Sequence, residues 1–312
     1  MAILVIGGTG HVGSHVVQEL AKRTADVRVL IHDSKKISER LSDLSQVFFS
    51  GNDSEIAELP ANVTTLKGNL MDIDSIREAL EGISTVFLLN GVVEDELTKA
   101  LLALNLAVEA GVKGIVYFSM VNADTFSDVP HASAKRAAER MIEDFDLPAT
   151  ILRPNYFFQN DVKFKEPILE KGVYPMPIGN LGTSMTDIRD IAEVAALELV
   201  KREIAAESLP RELIEISGPD VLTGDSIAAI WSDVTGQKIA YVGDDLKPYE
   251  EQMKAQAPSW MAYDTPLMFR GFQRDGMAAK PGAEEHLTEI LGHAPRAYRS
   301  FAEETFKQWQ QK

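Results

Sequence analysis

Apolar and polar positions fall into alternating blocks along the first half of the chain. "AILVI" (2–6), "DVRVLI" (26–31), "NVTTLKGNL" (62–70), "STVFLLN" (84–90), "GIVYFSM" (114–120) and "ATILRPNYFF" (149–158) are short runs of strand character. Helical spacing fills the gaps between them. Val12, Val16, Val17 and Leu20 lie on one helical face, and "DIDSIREALEG" opens on an acidic cap (Asp72 or Asp74) and stops at Gly82. "EDELTKALLALNLAVEAG" (94–111) and "SAKRAAERMIEDF" show the same periodicity. Short apolar strands alternating with amphipathic helices predict an α/β protein with a doubly wound parallel sheet, because that architecture buries both faces of its strands.

The second half changes character. "EKGVYPMPIGNLGTSMT" is turn-rich, "DIRDIAEVAALELVKREI" reads as a helix, "ELIEISGP" as a strand, "TGDSIAAIWSDVTG" as a helix with Trp231 in the core, and "KIAYVG" as a short strand. Beyond residue 248, Met253, Trp260, Met261, Tyr263, Met268, Phe269, Phe272 and Met277 mark a helical region punctuated by proline. The segment 34–61 is longer than a strand-to-strand crossover needs, and no function is read from it.

The 312 residues carry a net charge of −16, which argues against direct nucleic-acid binding and against attachment to an anionic membrane. With no cysteine in the chain, disulfides, thiolate catalysis and Cys-ligated metals are excluded, and the histidines are read as offering no H-x-x-x-H or H-E-x-x-H pairing, so no metal site is expected. The first apolar run breaks at Gly7 and no run reaches spanning length, so neither a signal peptide nor a membrane span is expected, and the cytoplasm is the expected location.

"VIGGTGHVGSHVVQEL" carries the most specific chemistry. Gly7, Gly10 and Gly13 form G-x-x-G-x-x-G between a buried strand and a helix, with Gly8 beside them. Such a turn aims backbone N–H groups and a helix N-terminus at one point, as a dinucleotide pyrophosphate requires. Gly7, Thr9, Gly10, His11, Val12 and Gly13 are therefore the expected phosphate contacts. The strand ends Asn69, Leu70, Leu89, Asn90 and Asn155 are expected as further nucleotide contacts. The expected organisation is a Rossmann-type core over 1–155 and, over 156–312, mainly a smaller α/β lobe with some segments returning to the core.

The glycine loop, "VTTLKGNLMDIDSIREALEGISTVFLLN", "AVEAGVKGIVYFSMVNAD", "HASAKRAAERMIEDFDLPATILRPNYFFQN" and "MTDIRDIAEVAALEL" occur in that order. Together they resemble the NmrA-like family of atypical short-chain dehydrogenases/reductases. "LTGDSIAAIWSDVTGQKIAYV" and "LTEILGHAPRAYRSFAEE" extend the resemblance through the C-terminal part. It implies an NAD(P)-binding fold in a family of quinone, dye and flavonoid-type reductases that also includes regulators binding the nucleotide without turnover. Asp33 after the second strand suits NAD, whereas His32, Lys35 and Lys36 suit NADP. Family members commonly carry Arg at the position of His32, which favours NADP(H) over NAD(H).

The resemblance also implies a Tyr-x-x-x-Lys proton relay, but this chain reads "HASAK", with His131 at the tyrosine position and Lys135 retained. Lys135 would hold the nicotinamide ribose, and Ser119 keeps the strand-end serine position. Either His131 supplies the proton, or water does, or no hydride moves. Ligands of open α/β sheets lie at the carboxyl ends of the strands. That rule points to Gly91, Met120, Asn122, Tyr156, Phe157, Phe158 and Asn160 as the substrate side, an apolar slot for a flat conjugated molecule. The expected function is NAD(P)H-dependent reduction of a small aromatic or quinone-like electrophile. The alternative is an NAD(P)-sensing regulator with a protein partner. A homodimer is compatible with either.

Overall fold

The computed structural model describes residues 2–24, 26–31 and 59–311. Its strands are β1 (Ala2–Ile6), β2 (Val27–Ile31), β3 (Val63–Lys67), β4 (Ile83–Leu88), β5 (Gly114–Phe118), β6 (Ala149–Pro154), β7 (Val173–Tyr174), β8 (Glu212–Ile216) and β9 (Ala240–Tyr241). Seven of them form one sheet in the order β3-β2-β1-β4-β5-β6-β8, and the five pairings from β3 to β6 are parallel. The order reverses between β1 and β4, the switch point at which doubly wound sheets bind ligands. Every residue of β1, β5 and β6 is buried, which is why β1 and β5 are continuously apolar, while β6 buries Thr150 and Arg153 among its apolar residues. β3 closes one edge, and Val63 is its one fully buried residue.

Eleven α-helices occur among the described residues: α1 (His11–Ala21), α2 (Ile73–Ala79), α3 (Glu96–Glu109), α4 (Pro130–Asp144), α5 (Lys165–Leu169), α6 (Ile188–Ile204), α7 (Gly224–Thr235), α8 (Lys247–Gln256), α9 (Ser259–Asp275), α10 (Ala283–Leu291) and α11 (Tyr298–Gln311). Asp72, not Asp74, caps α2, its side chain accepting from the Ser75 N–H at 3.3 Å. The helix expected from Ser133 begins at Pro130, whose fixed φ suits a first helical position, and this brings His131 into the first turn. The apolar run 149–158 is a strand only to Pro154, and Phe158–Phe164 turns into a 3-10 helix. "KIAYVG" contributes only the two residues of β9, paired with β7.

The chain forms two compact units: residues 1–119, 134–153 and 191–214, and residues 120–133, 154–190 and 215–312. The core of the first is aliphatic, built on Leu4, Ile6, Val86, Leu104, Ile115 and Ile151. The second is aromatic, with Phe126, Phe158, Trp231, Phe269, Phe272 and Tyr298 buried together. Trp231 stacks on Trp309 at 5.0 Å and donates to the Tyr298 hydroxyl at 2.9 Å, as a core role demands.

Candidate functional site

In the first unit, β1 runs into a turn that only glycine can build. Gly7 has φ +85°, and a Cβ there would stand 2.3 Å from the Leu89 carbonyl oxygen. A Cβ on Gly13 would stand 2.1 Å from the Gly7 oxygen, and one on Gly8 2.7 Å from Val29. These three residues let strand and helix approach closely. Gly10 differs: its Cβ would meet only the Gly7 oxygen, at 3.3 Å, and is otherwise in open space. Gly10 is also the N-cap of α1 and no side chain caps that end, so the first-turn N–H groups face the same opening. A cradle of backbone donors with room over Gly10 fits a pyrophosphate. Thr9 and His11 border it, while Val12 buries its side chain in the core and has only its backbone to offer.

Asn69 is tied into a turn, its side chain accepting from Met71 N–H at 3.0 Å and its own N–H donating to Ser75 Oγ at 3.0 Å. Leu70 packs partly against the core, and Leu89 backs Gly7. Asn90 is buried, donates to the Glu96 carbonyl at 3.3 Å, and has a side-chain oxygen with no partner among the described residues. Gly91 is exposed with nothing near its Cβ position. His32, Asp33, Lys35 and Lys36 lie outside the described residues. Contrary to the expectation from sequence, His11 and His15 do form an H-x-x-x-H pair, one helical turn apart with ring centroids at 6.4 Å; burial and the neighbouring ring lower the His11 pKa. No group of three or more potential metal ligands occurs among the described residues.

Lys135 is 6% exposed, and its ammonium stands 2.8 Å from Glu96 Oε1 and donates to the Phe118 carbonyl at 3.4 Å. Glu96, in the first turn of α3, was not singled out from sequence. Ser119 donates to Glu139 Oε1 at 2.6 Å, and Glu139 in turn accepts from Arg153 Nε at 2.8 Å and Nη2 at 2.6 Å. The Ser119 hydroxyl thus donates to a buried carboxylate that also holds Arg153.

In the second unit, His131 lies against Asp264 of α9. The Asp264 carboxylate accepts from the His131 backbone N–H at 3.0 Å through one oxygen and bonds ring Nδ1 through the other. Asn122 adopts φ 60° and donates to the Gly276 carbonyl at 3.1 Å. Tyr156 is half-buried, edge-on to Phe269 at 5.9 Å and Phe272 at 5.6 Å, with Met120 against the same core. Burial, reinforced by the charge of Asp161, raises the Tyr156 hydroxyl well above its usual range despite a bond from Asn160. Phe157 is half-buried and bridges to Thr186.

Two of the expected contacts sit among structural partners. Phe158, 1% exposed, packs edge-on against Tyr298 at 5.2 Å in the aromatic core. The buried Asn155 amide donates to the Met277 carbonyl at 2.8 Å and to Ser217 Oγ at 3.2 Å, and its oxygen accepts from Tyr156 N–H at 2.8 Å, so the side chain is fully engaged. Phe269, Phe272 and Met277, from the methionine- and aromatic-rich stretch beyond residue 248, are core.

A parallel sheet with its switch point beside a glycine cradle at a helix N-terminus defines a Rossmann-type dinucleotide-binding protein. The chain belongs to the NmrA-like family, whose model matches residues 1–273. It is similar to NAD(P)H azoreductase of Xenophilus azovorans, 27% identical over 301 residues covering 96% of each chain. It is equally similar, 27% over 313 residues and 98% of this chain against 93% of the other, to prestalk A differentiation protein A of Dictyostelium discoideum. The crystal structure of NADPH-dependent quinone oxidoreductase from Escherichia coli in complex with NADPH superposes with a TM-score of 0.78 at 21% identity, covering 97% of this chain and 99% of that one; this likeness carries the fold.

Proposed function

We propose that this protein is an NAD(P)H-dependent reductase of a small aromatic or quinone-like electrophile. The observation that carries the reading is the open glycine cradle at Gly10, present in a chain that aligns end to end with a relative named NAD(P)H azoreductase. The bound nucleotide would supply the hydride. The loop from Gly7 to Gly13 would hold its pyrophosphate, Asn90 and Lys135 would meet its nicotinamide end, and Met120, Tyr156, Phe157 and Asn160 would face the acceptor. NADP(H) is proposed over NAD(H), with His32, Lys35 and Lys36 at the 2′-phosphate, and the cytoplasm as the setting.

Fit at the nicotinamide end requires Lys135 to share its ammonium between Glu96 and the ribose hydroxyls, which its three donors allow. The test is loss of nicotinamide absorbance when NADPH, and separately NADH, is mixed with quinones, azo dyes and cationic dyes. Steady consumption of one nucleotide supports the reading and fixes the preference, and no consumption with any pair removes it.

A nucleotide-sensing regulator remains the second reading. What favours it is that a histidine stands where the family's proton-donating tyrosine is expected, and that a relative of equal identity is named for differentiation rather than reduction.

A further inference from the structure

We propose that Asp264 positions His131 as the proton donor of the reduction, so that a histidine–aspartate pair takes over the task of the missing tyrosine. The inference rests on the reductase reading. It begins from the way one carboxylate holds one residue twice. Asp264 accepts the His131 backbone N–H at 3.0 Å and ring Nδ1 through its other oxygen. The first bond fixes where the residue sits in the opening turn of α4; the second fixes which nitrogen faces away. Nδ1 carries its proton toward the carboxylate, and Nε2 is left with no partner among the described residues on a side chain 9% exposed.

Asp264 is itself 1% exposed, inside the apolar face of α9, and His131 is its only ionisable partner among the described residues. A buried carboxylate costs several kcal/mol unless it meets hydrogen bonds and a countercharge. The ring Nδ1 bond meets that need on one oxygen and the backbone N–H on the other. Lys135, one helical turn further along α4, has its own counter-ion in Glu96 at 2.8 Å. The competing hydroxyls are poorly suited. Ser119 is bonded to Glu139, and burial holds the Tyr156 proton too tightly for easy release.

Reduction of a quinone carbonyl or an azo bond needs one hydride, from the dihydronicotinamide, and one proton. As the acceptor gains the hydride its π bond breaks and the electron pair moves to the distal heteroatom. That atom takes the proton as the His131 Nε2–H bond breaks, leaving a neutral imidazole whose proton returns from water. Asp264 keeps its hold on the ring throughout and touches neither reactant.

Asp264→Asn separates this role from mere helix capping, because asparagine keeps an acceptor for the His131 backbone N–H. The proposal expects kcat to fall about tenfold or more with NADPH affinity unchanged. His131→Phe should show the same loss, and the double variant no further loss. Independently of turnover, the nucleotide-free wild type should show a strongly downfield imidazole N–H proton resonance, absent from both single variants. Wild-type kcat in Asp264→Asn, or a missing downfield resonance, overturns the proposal and leaves the reductase reading intact. Failure of the wild type to reduce any acceptor removes the reading and takes this inference with it.

Discussion

Gly10 and Gly13 occupy the same turn and answer to different constraints. Gly13 has no room for a methyl group because the Gly7 oxygen would lie 2.1 Å away, so Gly13→Ala must push strand and helix apart. It is expected to cost about 1–3 kcal/mol in urea unfolding. Gly10→Val meets only the Gly7 oxygen, at 3.3 Å, and replaces an N-cap glycine, so it should fold at a cost of about 1 kcal/mol while abolishing NADPH binding, measured by nicotinamide fluorescence. Unchanged affinity in that variant would remove the cradle from the site. Asp161 gives a second test at this scale. Burial lifts its carboxyl to about 7, against the hydroxyls of Tyr298 at 2.6 Å and Tyr174 at 3.1 Å, which favour the anion. Since the folded value lies above the unfolded one, its stabilisation is complete in acid and is lost as pH rises through about 7. Relative to Asp161→Asn, the wild type should lose about 2 kcal/mol between about pH 5.5 and about pH 8. Parallel unfolding curves for the two proteins would show that the carboxyl ionises freely.

Among elements, α4 carries most of the polar burden. Glu139 on this helix receives Ser119 from the end of β5 and Arg153 from β6, all buried within the first unit. Glu139→Gln removes the buried negative charge that Ser119 and Arg153 both bond, and is expected to cost about 3–5 kcal/mol. Denaturation at wild-type urea concentrations would show that the cluster is dispensable. The order of strands and helices was legible because parallel strands buried on both faces print unbroken apolar runs. Element ends were less so: Pro130 starts α4 three residues before the amphipathic pattern does, and the run through Phe158 continues as core after the strand has ended. The pairings were not legible at all. Glu96 with Lys135 and Asp264 with His131 join residues far apart in the chain. "MAYDTPLMF" did hold one hint, an acid in an apolar helical stretch, but periodicity alone does not tell a buried acid from a solvated one.

For the whole molecule, the net charge of −16 opposes an anionic nucleotide, so affinity must come from local donors rather than a long-range field. The helix N-terminus at Gly10 supplies such donors, and its place beside the switch point of the sheet was readable from the glycine spacing and the alternation of elements. What that spacing could not convey is the division into two units whose segments interleave along the chain, since it depends on contacts between residues distant in sequence. No helix among the described residues is long and apolar enough to cross a membrane. The most direct measurement is the near-ultraviolet absorbance of NADPH mixed with a naphthoquinone and the wild type, with Gly10→Val in parallel. The account predicts steady loss of absorbance with the wild type and none above background with a folded Gly10→Val. Tight NADPH binding by the wild type with no loss of absorbance, for this and every other acceptor tried, would contradict it.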